Sequence, residues 1–146
     1  MHRAVFTGNG AYCYANALHM VLASEAPAGG DIPEPGFLEC ATAMPFGQMF
    51  VATDAPTFWP SPPGWNPEKG LEHAIPALGW SCETWFGDDL EDVLLQRLRN
   101  ALHHGPVFVS PVDFGYLTYP PASVHMPGAD HYIVALDLRA ENVRVH

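Results

Sequence analysis

The chain has 146 residues, a length that suits one domain able to bury a sizeable core without disulfide staples. Its formal charge is −10, and six Lys and Arg are too few to meet a run of phosphates, which argues against nucleic acid and anionic membranes as partners. No apolar run approaches a membrane span and the N-terminus lacks a signal-peptide pattern, so the sequence reads as soluble and cytoplasmic. Cys13, Cys40 and Cys82 are an odd set without CxxC spacing, which speaks against a disulfide framework or a zinc ribbon.

Ala4-Val5-Phe6 suits a short strand before a Thr7-Gly8-Asn9-Gly10 turn. From Tyr12 to Ala23 the pattern predicts a helix, with Ala15, Leu18, Val21 and Leu22 on one face and Cys13, Asn16 or Ala17, and Met20 on the adjoining one. Pro27 to Gly36 reads as loop and Phe37 to Ala43 as a short helix ended by Pro45. The segment Phe46–Asn66, with Phe50, Phe58, Trp59 and Trp65, is too apolar for a linker and reads as an ordered loop packed on the body. Trp59 and Trp65 are its pocket candidates.

Asn66-Pro67-Glu68 starts a helix carrying Leu71, Ala74 and Ile75, kinked or ended by Pro76 and stopped at the latest by Gly79. Trp80 to Phe86 alternates as a strand would. Asp88 or Asp89 then caps an amphipathic helix, Leu90 to His103, stopped by Gly105-Pro106. Val107–Val112, Tyr132–Leu138 and Val143–Val145 read as strands, the last two joined by the hairpin turn Arg139–Asn142. Helices followed by an antiparallel sheet define an α+β domain.

Two segments carry chemistry. Gly10-Ala11-Tyr12-Cys13 runs a cysteine into a helix start, where free N–H groups and the dipole favour a thiolate. Gly128-Ala129-Asp130-His131 runs a histidine into an apolar strand. A histidine brought beside a cysteine takes its proton, which is the minimum for cysteine-based acyl transfer or hydrolysis. Cys40 and Cys82 read as packing residues, as do most of the tryptophans, Trp80 and Trp85 included. His103 and His104 suit the last turn of a helix, where a cation favours the dipole. His125, Asp130 and His131 match no standard metal-ligand spacing, so no metal is expected, nor any cofactor.

A helix-borne Cys early, a His opening a strand much later and a hairpin after it resemble the papain-like cysteine peptidase superfamily. Within it the chain resembles the bacteriocin-leader (C39-type) peptidases and, most of all, the N-terminal domain of the butirosin-biosynthesis H protein. The residues that carry this are Gly10-Ala11-Tyr12-Cys13-Tyr14-Ala15-Asn16, Met44-Pro45-Phe46-Gly47, Leu78-Gly79-Trp80 and Gly128-Ala129-Asp130-His131-Tyr132. The resemblance spans nearly the whole chain. It implies one papain-like domain over 1–146, with Cys13 as nucleophile and His131 as base, in bacterial secondary metabolism. It also implies a small-molecule or peptide acyl substrate, delivered in the butirosin case by an acyl carrier protein.

The chain departs from that pattern twice. The oxyanion Gln, six residues before the Cys, is here Thr7, shorter in reach, so the oxyanion candidates are Thr7 and Asn9, with the Cys13 N–H beside them. The resemblance places the acid that orients the His sixteen residues after it, one position past His146, so either the natural chain is longer, which is the expectation, or the acid is absent. Asp137 lies too far along its strand to serve and Asp130 points away from His131. Asn16 faces the Cys side of its helix, as a pocket candidate or as a bond to the loop. Acyl transfer, hydrolysis by a peptidase or amidase, and a non-catalytic peptide- or carrier-binding domain all remain open from the sequence.

Overall fold

A computed structural model describes residues 6, 8, 10–26, 30–52, 54, 57–59, 61–85, 90–117, 127–139 and 142–145. It is an α+β structure made of two compact units. One comprises residues 1–32 and 86–146, and the other, Pro33–Trp85, is inserted between them.

In the first unit, helix α1 spans Cys13–Glu25 and buries Tyr14, Ala15, Ala17, Leu18, Met20 and Leu22. Buried positions so spread around a helix mark one enclosed on several sides, whereas the spacing had suggested a single apolar face. Val21, expected on that face, is only half-buried. Strands β3 (Val107–Asp113), β4 (Asp130–Arg139) and β5 (Asn142–Val145) form an antiparallel sheet in the order β3-β4-β5. The three expected strands therefore stand, with β4 opening two residues early, at Asp130. Tyr132 through Leu136 are buried without a break. Because successive strand residues point to opposite faces, β4 is covered on both sides. Helix α1 packs on β4, where the Tyr14 ring meets Tyr132 edge-on at 5.9 Å.

Helix α4 (Glu91–Leu102) packs on β3 and β4. Its N-cap is Leu90, which makes no side-chain cap bond, while Asp88 and Asp89 lie outside the described residues. Glu91 and Asp92 supply the negative charge of the first turn instead. Of the expected apolar face only Leu102 is buried; Leu94 and Leu98 are half-buried, and Leu90 and Val93 are exposed. His103 and His104 follow the helix end and are exposed. Ala4 and Val5 lie outside the described residues, and Phe6 is exposed.

In the second unit, α2 (Pro35–Ala41) starts two residues before the expected position, because Pro35 sits in its first turn where no donor is needed. A 3-10 turn, Met44–Phe46, takes in Pro45 near its start. The expected loop over Phe46–Asn66 contains an antiparallel hairpin, β1 (Met49–Val51) with β2 (Thr57–Trp59), and Phe50 is exposed rather than packed. Helix α3 (Pro67–Ala77) is capped by Asn66, whose side chain accepts from the Lys69 N–H at 3.0 Å. Pro76 falls in the last turn, and the chain leaves the helix through Gly79 at φ +82°. There the Trp80 and Gly79 N–H groups close back onto the carbonyls of Ile75 and Pro76.

The expected strand over Trp80–Phe86 does not form: residues 80–85 are irregular and Phe86 lies outside the described residues. Among the described residues its alternation meets no partner strand, and Ser81 to Trp85 are exposed. Cys40 and Cys82 are also exposed, so neither is the packing residue expected.

Candidate functional site: the Cys13–His131 region

Cys13 is the first residue of α1, entered from Tyr12 in an extended conformation (φ −119°, ψ 135°) with no side-chain cap. That entry leaves the first helical N–H groups without intrahelical partners. The turn before it is clasped by Asn16: its Oδ1 accepts from the Gly10 N–H at 2.9 Å, and its Nδ2 donates to the Gly10 carbonyl at 3.2 Å. Asn16 is thus a bond to the loop. It holds the Gly turn against the helix that carries the sulfur.

The sulfur faces β4. Burial pushes the Cys13 thiol above its ordinary pKa, and the backbone N–H groups of Tyr132, Tyr14 and Cys13 itself pull the other way without overcoming it. The helix start therefore does not yield a resting thiolate, as the sequence had suggested; desolvation outweighs the three donors. Tyr132 is the residue directly after His131, so the thiol lies against the peptide that follows the histidine.

His131 is half-buried, and burial lowers its pKa. Both shifts act in one direction, keeping the proton on sulfur and the imidazole neutral. Among the described residues no group hydrogen-bonds the imidazole; its contact is the Phe114 ring, edge-on at 4.8 Å and 64°. Asp137 is occupied by Arg139 at 2.7 Å. Asp130 is exposed and, as the neighbour of His131 on a strand, projects to the opposite face.

The approach to His131 is cross-tied by residues the motif reading passed over. Phe114 begins a 3-10 turn, Phe114–Tyr116, directly after β3. Asp113 Oδ1 accepts from the N–H groups of Gly115 at 2.8 Å and Gly128 at 2.9 Å, and the Phe114 N–H donates to the Ala129 carbonyl at 2.8 Å. Asp-x-Gly is a recognisable turn pattern, an aspartate accepting from the backbone two residues on, and was the available signal. β3 then pairs with β4 through Asp113↔Asp130 and Val112↔His131.

Thr7, Asn9 and His125 lie outside the described residues, as does the side chain of Trp59. Trp65 belongs to the second unit, where its indole N–H donates to the Thr42 carbonyl at 2.8 Å and its ring stacks on His73 at 5.1 Å. It joins the end of α2 to α3. No group of His, Cys, Asp and Glu suited to a metal occurs among the described residues.

The chain is similar, at 31% identity over 142 residues, to an uncharacterized protein, YobF, of Bacillus subtilis (strain 168). The match takes in 97% of this chain and 43% of that protein's length. No protein-family model matches the chain, and no solved structure matches it. Among the described residues no helix is long and apolar enough to cross a membrane.

Proposed function

We propose that the chain is a papain-like domain that transfers an acyl group through a thioester on Cys13, with His131 as general base. The observation that carries this reading is the Cys13 sulfur lying at the start of α1 against the N–H of Tyr132, the residue after His131. The resemblance to butirosin-type H proteins and C39-type peptidases adds the reaction class. The acyl donor is a thioester of a small molecule or peptide, borne on a carrier protein.

The step starts from a neutral pair. His131 accepts the S–H proton as the sulfur bonds to the carbonyl carbon, and the carbonyl electrons move to oxygen. Backbone N–H groups at the start of α1 offer the oxyanion its hydrogen bonds. Collapse expels the carrier thiol, which takes the proton from the imidazolium and leaves acyl-Cys13. An amine then attacks this thioester, His131 removing its proton and returning it to sulfur. With a peptide or amide as acyl donor the imidazolium gives its proton to a leaving amine, and water in place of the second amine makes the protein a peptidase or amidase.

Incubation with an acyl N-acetylcysteamine thioester tests the reading by intact mass. An acyl adduct confined to Cys13, absent from Cys13→Ala and slowed about 10²–10⁴-fold in His131→Gln, is expected. Full turnover by Cys13→Ala would overturn it. A second reading, a papain-like domain that binds a peptide or carrier without turnover, draws on the raised pKa of the thiol. Binding of a carrier-borne acyl group with no adduct at any time point would select it.

A further inference from the structure

We propose that Phe114, braced by Asp113, is the positioning residue for His131, setting the imidazole by ring packing where a triad would use a hydrogen-bonding acid. This rests on the acyl-transfer reading in that it assigns His131 a reaction to be positioned for. The geometry is local and redundant. Phe114 meets the imidazole edge-on at 4.8 Å; two hydrogen bonds, Gly128 N–H to Asp113 and Phe114 N–H to Ala129, tie the two ends of the β3–β4 connection beside that contact, and a third, Gly115 N–H to Asp113, closes the turn at its first end. Gly115, next to Phe114, comes so close to Pro127 that an added Cβ would lie 2.8 Å from its Cα. Gly128 closes the other end at φ +77°. The Phe114 backbone is therefore held from both sides, and its ring has a fixed origin from which to meet the histidine.

The charged and titratable neighbours do not replace it. Asp113, opposite Asp130 at the start of β4, spends Oδ1 on two backbone N–H groups. Asp130 projects to the other face, Asp137 is paired with Arg139, and Cys13 is the thiol contributed by α1. No charged group of α1, α4, β3 or β5 among the described residues hydrogen-bonds the imidazole, and burial alone accounts for its lowered pKa. A neutral base needs its lone pair aimed, and with no anion beside it among the described residues the imidazole depends on packing for that aim. A packed ring supplies the aim. It also keeps water from the imidazole, which an acid at the same place would not.

The test follows the His131 imidazole by NMR across pH in the full chain, alongside kcat and KM with the acyl N-acetylcysteamine thioester. Phe114→Ala should raise the His131 midpoint toward that of an ordinary histidine and lower kcat about tenfold or more with KM little changed. Phe114→Tyr should restore both. Asp113→Ala should reproduce the loss, whereas Asp113→Asn, which keeps an acceptor for the two N–H groups, should retain most of the wild-type behaviour. Phe114→Leu, which conserves an apolar fill, serves if Phe114→Ala does not fold, and should lower kcat while moving the midpoint less.

A folded Phe114→Ala or Phe114→Leu with wild-type midpoint and kcat would overturn the assignment. If turnover proves independent of Cys13, the acyl-transfer reading falls while the NMR midpoints still decide whether Phe114 holds the imidazole.

Discussion

Asn16→Ala removes the clasp on the turn before Cys13, and its cost follows from the two bonds lost. Each hydrogen bond of this kind contributes about 0.5–1.5 kcal/mol net, so the pair is worth about 2 kcal/mol. Alanine returns up to about 0.7 kcal/mol through its better helix propensity. The balance is a loss of about 1 kcal/mol, or about 2–4 °C in Tm for a chain of this size. The local effect should exceed the global one, because both bonds end on Gly10. Hydrogen exchange at the Gly10 amide reads it directly and should accelerate well beyond the amides of the α1 interior. Asn16→Asp sharpens the test, since it keeps an acceptor for the Gly10 N–H and adds a charge that a helix start favours. Its stability should stay near wild type while its anion pushes the Cys13 thiol further up. Unchanged Gly10 exchange and an unchanged urea midpoint in Asn16→Ala would refute the clasp.

Iodoacetamide at neutral pH should modify the exposed Cys40 and Cys82 before Cys13, whose labelling rate should rise only at a pH above the ordinary thiol range; peptide mapping showing Cys13 first would contradict the burial argument. Because the folded pKa of His131 is depressed, its contribution to stability is complete above the unfolded value, about 6.5, and is lost as pH falls through the folded value. The urea midpoint of the wild type should accordingly drop more on going from pH 7.5 to 5.5 than that of His131→Gln, and parallel curves would count against it. Gly70→Ala should destabilise by about 1–3 kcal/mol despite the helix preference for alanine, since its Cβ would lie 2.7 Å from the Thr42 carbonyl oxygen and 2.8 Å from Thr42 Cβ. Gly36→Ala, with nothing within 4 Å of the new Cβ, should instead stabilise by up to about 1 kcal/mol, and thermal melts of the two should move in opposite directions.

Elements with strong local causes were legible in the sequence. The Asn66-Pro67 start of α3, its Gly79 stop, α1 and the three strands of the β3-β4-β5 sheet rest on caps and apolar periodicity that act within a few residues. The Trp80–Phe86 stretch failed because alternation describes a strand only if another strand lies beside it. The β1–β2 hairpin was missed for the converse reason: Pro and aromatic residues hid two three-residue strands that exist through their pairing. Of the candidate site, the placement of Cys13 at the start of α1 and of His131 in β4 was legible from their local settings. The state of the thiol was not, because desolvation depends on what packs around it. Phe114 and Asp113 carry no reactive group, and only the closure of the β3–β4 connection reveals what they hold.

The inserted unit has a kinetic consequence. Cys13 and His131 stand 118 positions apart, with the 53 residues of Pro33–Trp85 between them. Closing a flexible loop of that length costs about 4 kcal/mol plus a constant, from a cost that grows only with the logarithm of length. If the insert folds first and acts as one link, the loop shortens to about 65 residues and the saving is only about 0.5 kcal/mol. Early folding of the insert therefore does little to hasten the meeting of α1 and β4. That meeting waits on synthesis, since β4 is made after α1. A chain stopped before Asp130 would have the cysteine and no strand to bury it, so its thiol should react as freely as the two exposed ones.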